Sequence, residues 1–182
     1  MLKPKNILDE KNKLLRTVSK EVEFPLEKKD FEAIDDILEY LTNSQNEELA
    51  EKYNLRPGMG MSAIQVGIPK RYFVVVHEVD DGLFDEYVIV NPKILSSSAE
   101  KIYVEDGEGC LSVNRPTHGI VPRCARITIE GYDTEGNKVK VRAREDLAIC
   151  FQHEIDHLNG ILFVDHIDSK NPYKNADKYR SL

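Results

Sequence analysis

The sequence predicts an α+β fold: short antiparallel and mixed sheets wrapped around a C-terminal metal-binding helix, with another helix near the N-terminus. Three observations predict it. Apolar residues recur at helical spacing between Leu26 and Thr42. Several short stretches between Tyr72 and Arg142 alternate, or run apolar, as strands do. Glu145 to Leu158 reads as helix again and carries two histidines four residues apart.

The totals set bounds. A chain of 182 residues is expected to form one domain, 1–182, with a basic C-terminal tail over 169–182. Apolar residues at 41% and charges of both signs at 31% argue against disorder. A net charge of −7 disfavours a sequence-specific nucleic-acid binder. No apolar run nears the ~20 residues of a membrane helix, and MLKPKNILDE lacks the apolar core of a signal peptide. Three cysteines, an odd number, suggest no disulfide framework and a reducing compartment. The reading is a soluble, cytoplasmic, monomeric protein.

Taken in order, the first ~20 residues read as a covering arm with a short helix. Phe31, Ile34, Ile37, Leu38 and Leu41 recur at three- and four-residue steps, so Leu26 to about Thr42 is amphipathic helix. Leu49, Ala50 and Tyr53 mark a second, short one. The stretch Arg56 to Pro69 holds three glycines and fits either a tight turn or a backbone surface for an extended ligand. Tyr72–Val79 and Tyr87–Val90 read as strands, the second broken by Asn91-Pro92, and Ile102–Val104 as another. Arg126–Tyr132 and Lys138–Arg142 alternate across a Glu135-Gly136-Asn137 hairpin turn. The last helix stops at Asn159-Gly160.

That helix contains Gln152-His153-Glu154-Ile155-Asp156-His157. His153 and His157 lie on one face, about 6 Å apart along the axis, so both imidazoles can close on one ion. Glu154 sits about 100° round, where it reaches a water at that ion without being a ligand. A surface helix with solvated histidines is the plain alternative.

Two histidines hold a divalent ion poorly, so a third ligand is needed. Asp165 and His166 follow downstream. Cys124 and Cys150 fit the usual role of a small buried hydrophobe. Cys150 shares the histidines' face, but the ion would lie about a turn or more beyond so short a side chain. Cys110 stands among glycines and polar residues in Asp106-Gly107-Glu108-Gly109-Cys110-Leu111-Ser112, on a loop that another element can bring in. Cys110, His153 and His157 are the expected ligands. With the sulfur as thiolate and the rings neutral, a fourth position stays open, as in a catalytic site.

At this point three motifs resemble peptide deformylase: Gly58-Met59-Gly60-Met61-Ser62-Ala63-Ile64-Gln65, Glu108-Gly109-Cys110-Leu111-Ser112, and Gln152-His153-Glu154-Ile155-Asp156-His157. They stand in the family's order and span about residues 56–167. The segment before Arg56 and the Asp80–Glu86 loop resemble its longer, Gram-positive-type class. One departure is Ser62-Ala63 where the family usually has two alanines, a small-for-small change expected to leave the turn intact.

The resemblance implies a hydrolase that removes the N-formyl group from the initiator methionine of new polypeptides, releasing formate. It implies Glu154 as general base and donors to the oxyanion from the Gln65 amide and the Leu111 N–H. It implies that Met59 and Gly60, with Gly109 opposite, pair with the substrate backbone, and that the methionine enters an apolar pocket expected to include Ile149 and Cys150. Arg115 is expected farther along the peptide. Ligand softness suits zinc, whereas the family implies Fe(II) in the cell, with zinc or nickel in purified samples. A solvated, fraying terminus is the favoured reading of the tail, which carries Lys170, Lys174, Lys178 and Arg180 against Asp177. The alternative is a weak ribosome contact, which some family members make through a C-terminal extension. Two rival functions remain at this stage: a zinc endopeptidase on the same helix and a metal-stabilised binding module.

Overall fold

The computed structural model describes residues 2–182. Two helices, α1 (Lys28–Ser44) and α2 (Glu47–Tyr53), precede the strands β1 (Gly60–Ser62), β2 (Tyr72–Asp80), β3 (Leu83–Ser97), β4 (Lys101–Tyr103), β5 (Arg123–Cys124), β6 (Arg126–Tyr132) and β7 (Lys138–Arg144). Then come α3 (Glu145–Leu158) and a final strand, β8 (Arg180–Ser181). The α+β architecture is the one the sequence predicts.

β2 explains how the layers stack. Its first five residues, Tyr72 to Val76, are all buried. A run apolar on both faces needs a partner on each side. Tyr72, Val74 and Val76 pack with Ile34, Ile37 and Leu41 of α1. Phe73 and Val75 pack with Phe151, Ile155 and Leu158 of α3. The Phe73 and Phe151 rings lie 5.3 Å apart, and truncating a buried phenylalanine to alanine typically costs about 3–5 kcal/mol. The sheet that separates the two helices runs β1-β2-β3-β6-β7, every neighbour antiparallel. β1 and β7 are its edges, each paired on one side only.

Local chemistry sets the element ends. α1 starts at a capping box in which the Glu27 N–H donates to Asp30. Asn46 caps α2 by accepting from the Leu49 N–H. α3 stops at Gly160, whose φ is +74° and whose Cα approaches so closely that a Cβ would lie 2.7 Å from the Arg16 carbonyl oxygen.

Two expectations are corrected. β3 does not break at Asn91-Pro92. It bulges there and continues, because Asn91 takes a positive φ and its side chain bonds both the N–H and the carbonyl of Val22, at 2.8 and 2.9 Å. Nor does the tail fray. β8 pairs parallel with β4 in a second sheet, β5-β4-β8, and Arg180 makes a bidentate ion pair with Glu145 at 2.8 Å plus one with Glu100. Those partners are separated from the tail by more than thirty residues, so the sequence pattern held no sign of the docking.

Candidate metal centre

α3 is fixed on the sheet by Phe151, Ile155 and Leu158, which turns His153 and His157 towards the loop that follows β4 and Glu154 towards Gly60 and Ser62 of β1. That loop brings Cys110 to them. Cys110 Sγ lies 3.3 Å from His157 Nε2, which lies 3.2 Å from His153 Nε2. The three donor atoms all fall within 4.8 Å of one another. Cys150 is not among them; its sulfur faces Gly60, one turn before His153. The geometry therefore gathers the three residues expected as ligands.

These residues fit a metal ion on their own chemistry. A sulfur and two ring nitrogens converging on one point must share either protons or an ion. Without an ion a proton takes that place. Burial disfavours it on His153, but the hydrogen bonds to Cys110 and Glu108 prevail and hold the His153 pKa well above its ordinary value. Burial, then the His153 charge, hold His157 well below. One soft sulfur with two imidazoles is also a ligand set for zinc-like and ferrous ions.

The surroundings lock these three side chains in place. His153 Nδ1 lies 2.8 Å from Glu108 Oε2, a bond that leaves Nε2 to face the centre. Glu108 also takes a two-pronged bond from Arg123, at 2.7 and 3.0 Å, and Arg123 reaches Asp156 at 2.5 Å. Asp156 in turn meets His166 at 2.7 Å. Burial alone would raise the Glu108 pKa, but His153 and Arg123 outweigh it and hold the carboxyl at about 2. From the other side Arg56 donates to the carbonyls of Cys110 and Leu111, at 3.0 and 3.3 Å.

Glu154 is 3% exposed, and burial pushes its pKa up to about 7. Ser62 Oγ donates to its carboxylate at 2.7 Å. Gln65 is held with Oε1 accepting from the Ser62 N–H and Nε2 donating to Ser112 Oγ, 3.7 Å from Cys110 Sγ. The Leu111 N–H has no hydrogen-bond partner among the described residues. A cleft of about 300 Å³ opens beside the centre, and Met59, Gly60, Gln65, Gly109, Cys110, Leu111, Ile149, Cys150, His153 and Glu154 all line it. His157 lies beneath, 1% exposed. Arg115 is outside the cleft wall and paired with Glu10.

Sequence reasoning missed the residues that act through others. Glu108 was visible only as part of a motif, and a buried Arg123 has no local signature. Ser62 read as a silent small residue, yet its hydroxyl bonds the buried carboxylate.

Fold and site define a class first: an α+β protein with a buried Cys-His-His group able to hold one metal ion, next to a buried carboxylate. Residues 4–173 match the polypeptide deformylase family. A peptide deformylase of Halalkalibacterium halodurans is 49% identical over 177 residues, covering 96% of both chains. Peptide deformylase 2 of Bacillus anthracis is 45% identical, covering 100% of this chain and 99% of its own. Among solved structures, a Met-Ala-Ser-bound class I type b peptide deformylase from Acinetobacter baumannii matches with a TM-score of 0.71 at 28% identity, over 88% of this chain and 96% of the other. This chain belongs to the peptide deformylase family, metal-dependent enzymes that remove the N-formyl group from nascent chains. Its Bacillus-type relatives agree with the longer class that the segment before Arg56 and the Asp80–Glu86 loop resemble.

Proposed function

We propose that the cleft binds the formylated N-terminus of a new polypeptide, with Cys110, His153 and His157 holding one divalent ion and Glu154 acting as general base. The observation that carries this is the convergence of those three donors beside a cleft that Glu154 and Gln65 also line. The ion, Fe(II) in the cell and zinc or nickel in purified protein, supplies Lewis acidity to the carbonyl and to water. Glu154 takes a proton from the attacking water and returns it to the departing amine, so the formyl C–N bond breaks to formate and a free N-terminus. A carboxyl with a pKa near neutrality is suited to both halves of that transfer. The Gln65 amide and the Leu111 N–H donate to the developing oxyanion; one such donor is typically worth about 2.7–4 kcal/mol.

The substrate backbone lies along the open edge of β1, paired with Met59 and Gly60, with Gly109 opposite. The methionine side chain fills the end lined by Ile149 and Cys150. The tripeptide carried by the Acinetobacter relative supports this choice of ligand. The protein works as a cytoplasmic monomer; no helix among the described residues is long and apolar enough to cross a membrane. Any ribosome contact through the tail falls to Lys170 and Lys178, since Lys174 pairs with Asp168 and Arg180 with Glu145 and Glu100.

The test is formate release from formyl-Met-Ala-Ser by anaerobically purified, metal-assayed protein. Turnover tracking metal content supports the reading. Metal-loaded protein that releases no formate, or that instead cleaves unformylated peptides internally, overturns it.

A further inference from the structure

The outer face of the main sheet carries a concentration of positive charge that the reaction does not use. Along β7, Lys138, Lys140, Arg142 and Arg144 are exposed, while Val139, Val141 and Ala143 turn inward. Lys138 is paired with Glu130. Lys140, Arg142 and Arg144 enter no ion pair among the described residues. Alternate residues on a strand stand about 6.6 Å apart, inside the Debye length of about 8 Å at physiological salt, so their potentials add.

Neighbouring strands extend this row and neutralise it only in part, Glu130 of β6 lying opposite Lys140 and pairing with Lys138. Arg126 of β6 lies directly opposite Arg144, a like-charge pairing that the Arg126–Glu100 ion pair at 3.0 Å relieves in part. Arg142 is opposite Thr128, which is opposite Ser96 of β3. Arg126, Arg142, Arg144, Thr128 and Ser96 line a recess of about 650 Å³, separate from the deformylation cleft; Glu100 also lines it, its carboxylate taken up by Arg126 and Arg180. Lysines on an edge strand commonly serve to block strand-to-strand association. That role does not account for the unpaired Arg142 and Arg144 beside a recess that places the Thr128 and Ser96 hydroxyls next to them.

We propose that this recess and the adjoining β7 row bind the phosphate backbone of RNA without reading its sequence. Guanidinium forks and hydroxyls are donors matched to phosphate oxygens. A regular row of cations calls for a regularly repeating anion, and a recess accepts a strand better than the flat surface of a membrane. The net charge of −7 belongs to the whole chain and does not cancel a local field on one face.

The probe is a fluorescein-labelled single-stranded RNA of about 20 nucleotides, followed by anisotropy at rising salt. Three phosphate contacts give a log–log slope of about −2, or roughly 20-fold weaker binding between 50 and 200 mM salt. The expected result is that R142E/R144E weakens binding at least 10-fold while formate release stays unchanged. The control K5E/K13E makes the same change in net charge at exposed lysines elsewhere and is expected to leave RNA affinity within about 2-fold. No RNA binding at 50 mM salt overturns the proposal. So does equal weakening by both double variants, or a preference for phosphatidylglycerol vesicles or polyglutamate over RNA.

Discussion

Ser62 Oγ donates a 2.7 Å hydrogen bond to Glu154 Oε2. Both residues are buried, and the bond favours the charged carboxylate against the burial that raises its pKa to about 7. Ser62→Ala is expected to fold and keep its metal, because the change is small for small. Its acid limb in kcat against pH should move upward, since the carboxylate loses a donor. A hydrogen bond to a charged group is worth about 1.5–3 kcal/mol, so kcat near neutral pH should fall roughly 10-fold or more. An unchanged pH profile would remove Ser62 from the account.

The two cysteines near α3 separate cleanly. Cys110→Ala is expected to lose the ion, read by metal analysis after dialysis. Cys150→Ala should keep it, because that sulfur packs against Gly60 instead of joining the donors. Glu154→Gln should also keep its metal while kcat drops about 10²–10⁴-fold, the usual worth of a positioned base.

Gly60 and Gly109 line one cleft but should respond differently to alanine. A Cβ at Gly60 would lie 2.8 Å from both Cys150 Sγ and Glu154 Oε1. Gly60→Ala must displace the carboxylate and should depress kcat. A Cβ at Gly109 meets nothing within 4 Å. Gly109→Ala should leave melting temperature and metal content unchanged and raise KM, since only the substrate would meet the new methyl. Equal effects of the two on kcat would contradict this assignment.

Glu108 makes stability depend on acid. Its pKa is held at about 2, below its ordinary 4.5, so its contribution is present above pH 4.5 and disappears as the pH falls towards 2. The shift corresponds to roughly 3 kcal/mol at 1.36 kcal/mol per unit. Glu108→Gln should therefore lower stability at pH 7 and flatten its decline between pH 4.5 and 2, measured by denaturant melts. Arg123→Leu leaves the buried Glu108 and the half-buried Asp156 without their shared cation and should cost about 3–5 kcal/mol.

Much of this was legible beforehand because it is local or periodic. The helical spacing of Ile34, Ile37 and Leu41, the alternation in β6 and β7, and the four-residue step from His153 to His157 all show within a short window. Cys110 was reachable because its glycine-flanked setting is wrong for a core cysteine. What stayed hidden depends on partners distant in sequence. Asn91 keeps β3 running by bonding Val22, and Arg180 docks the tail on Glu145 and Glu100. Arg123 joins Glu108 to Asp156. One-dimensional pattern does not encode such pairings, because each requires the fold to bring its members together.

The guanidinium of Arg123 touches one carboxylate two residues before Cys110 and another on the helix turn between the two histidines. It therefore rivets the segments that carry Cys110 and the two histidines together whether or not an ion sits between them. In many small zinc modules the cation itself draws a limp chain into shape, and a chelator melts them. Here the scaffold is already standing, so stripping the ion should silence the enzyme while its secondary structure and its cooperative melting persist.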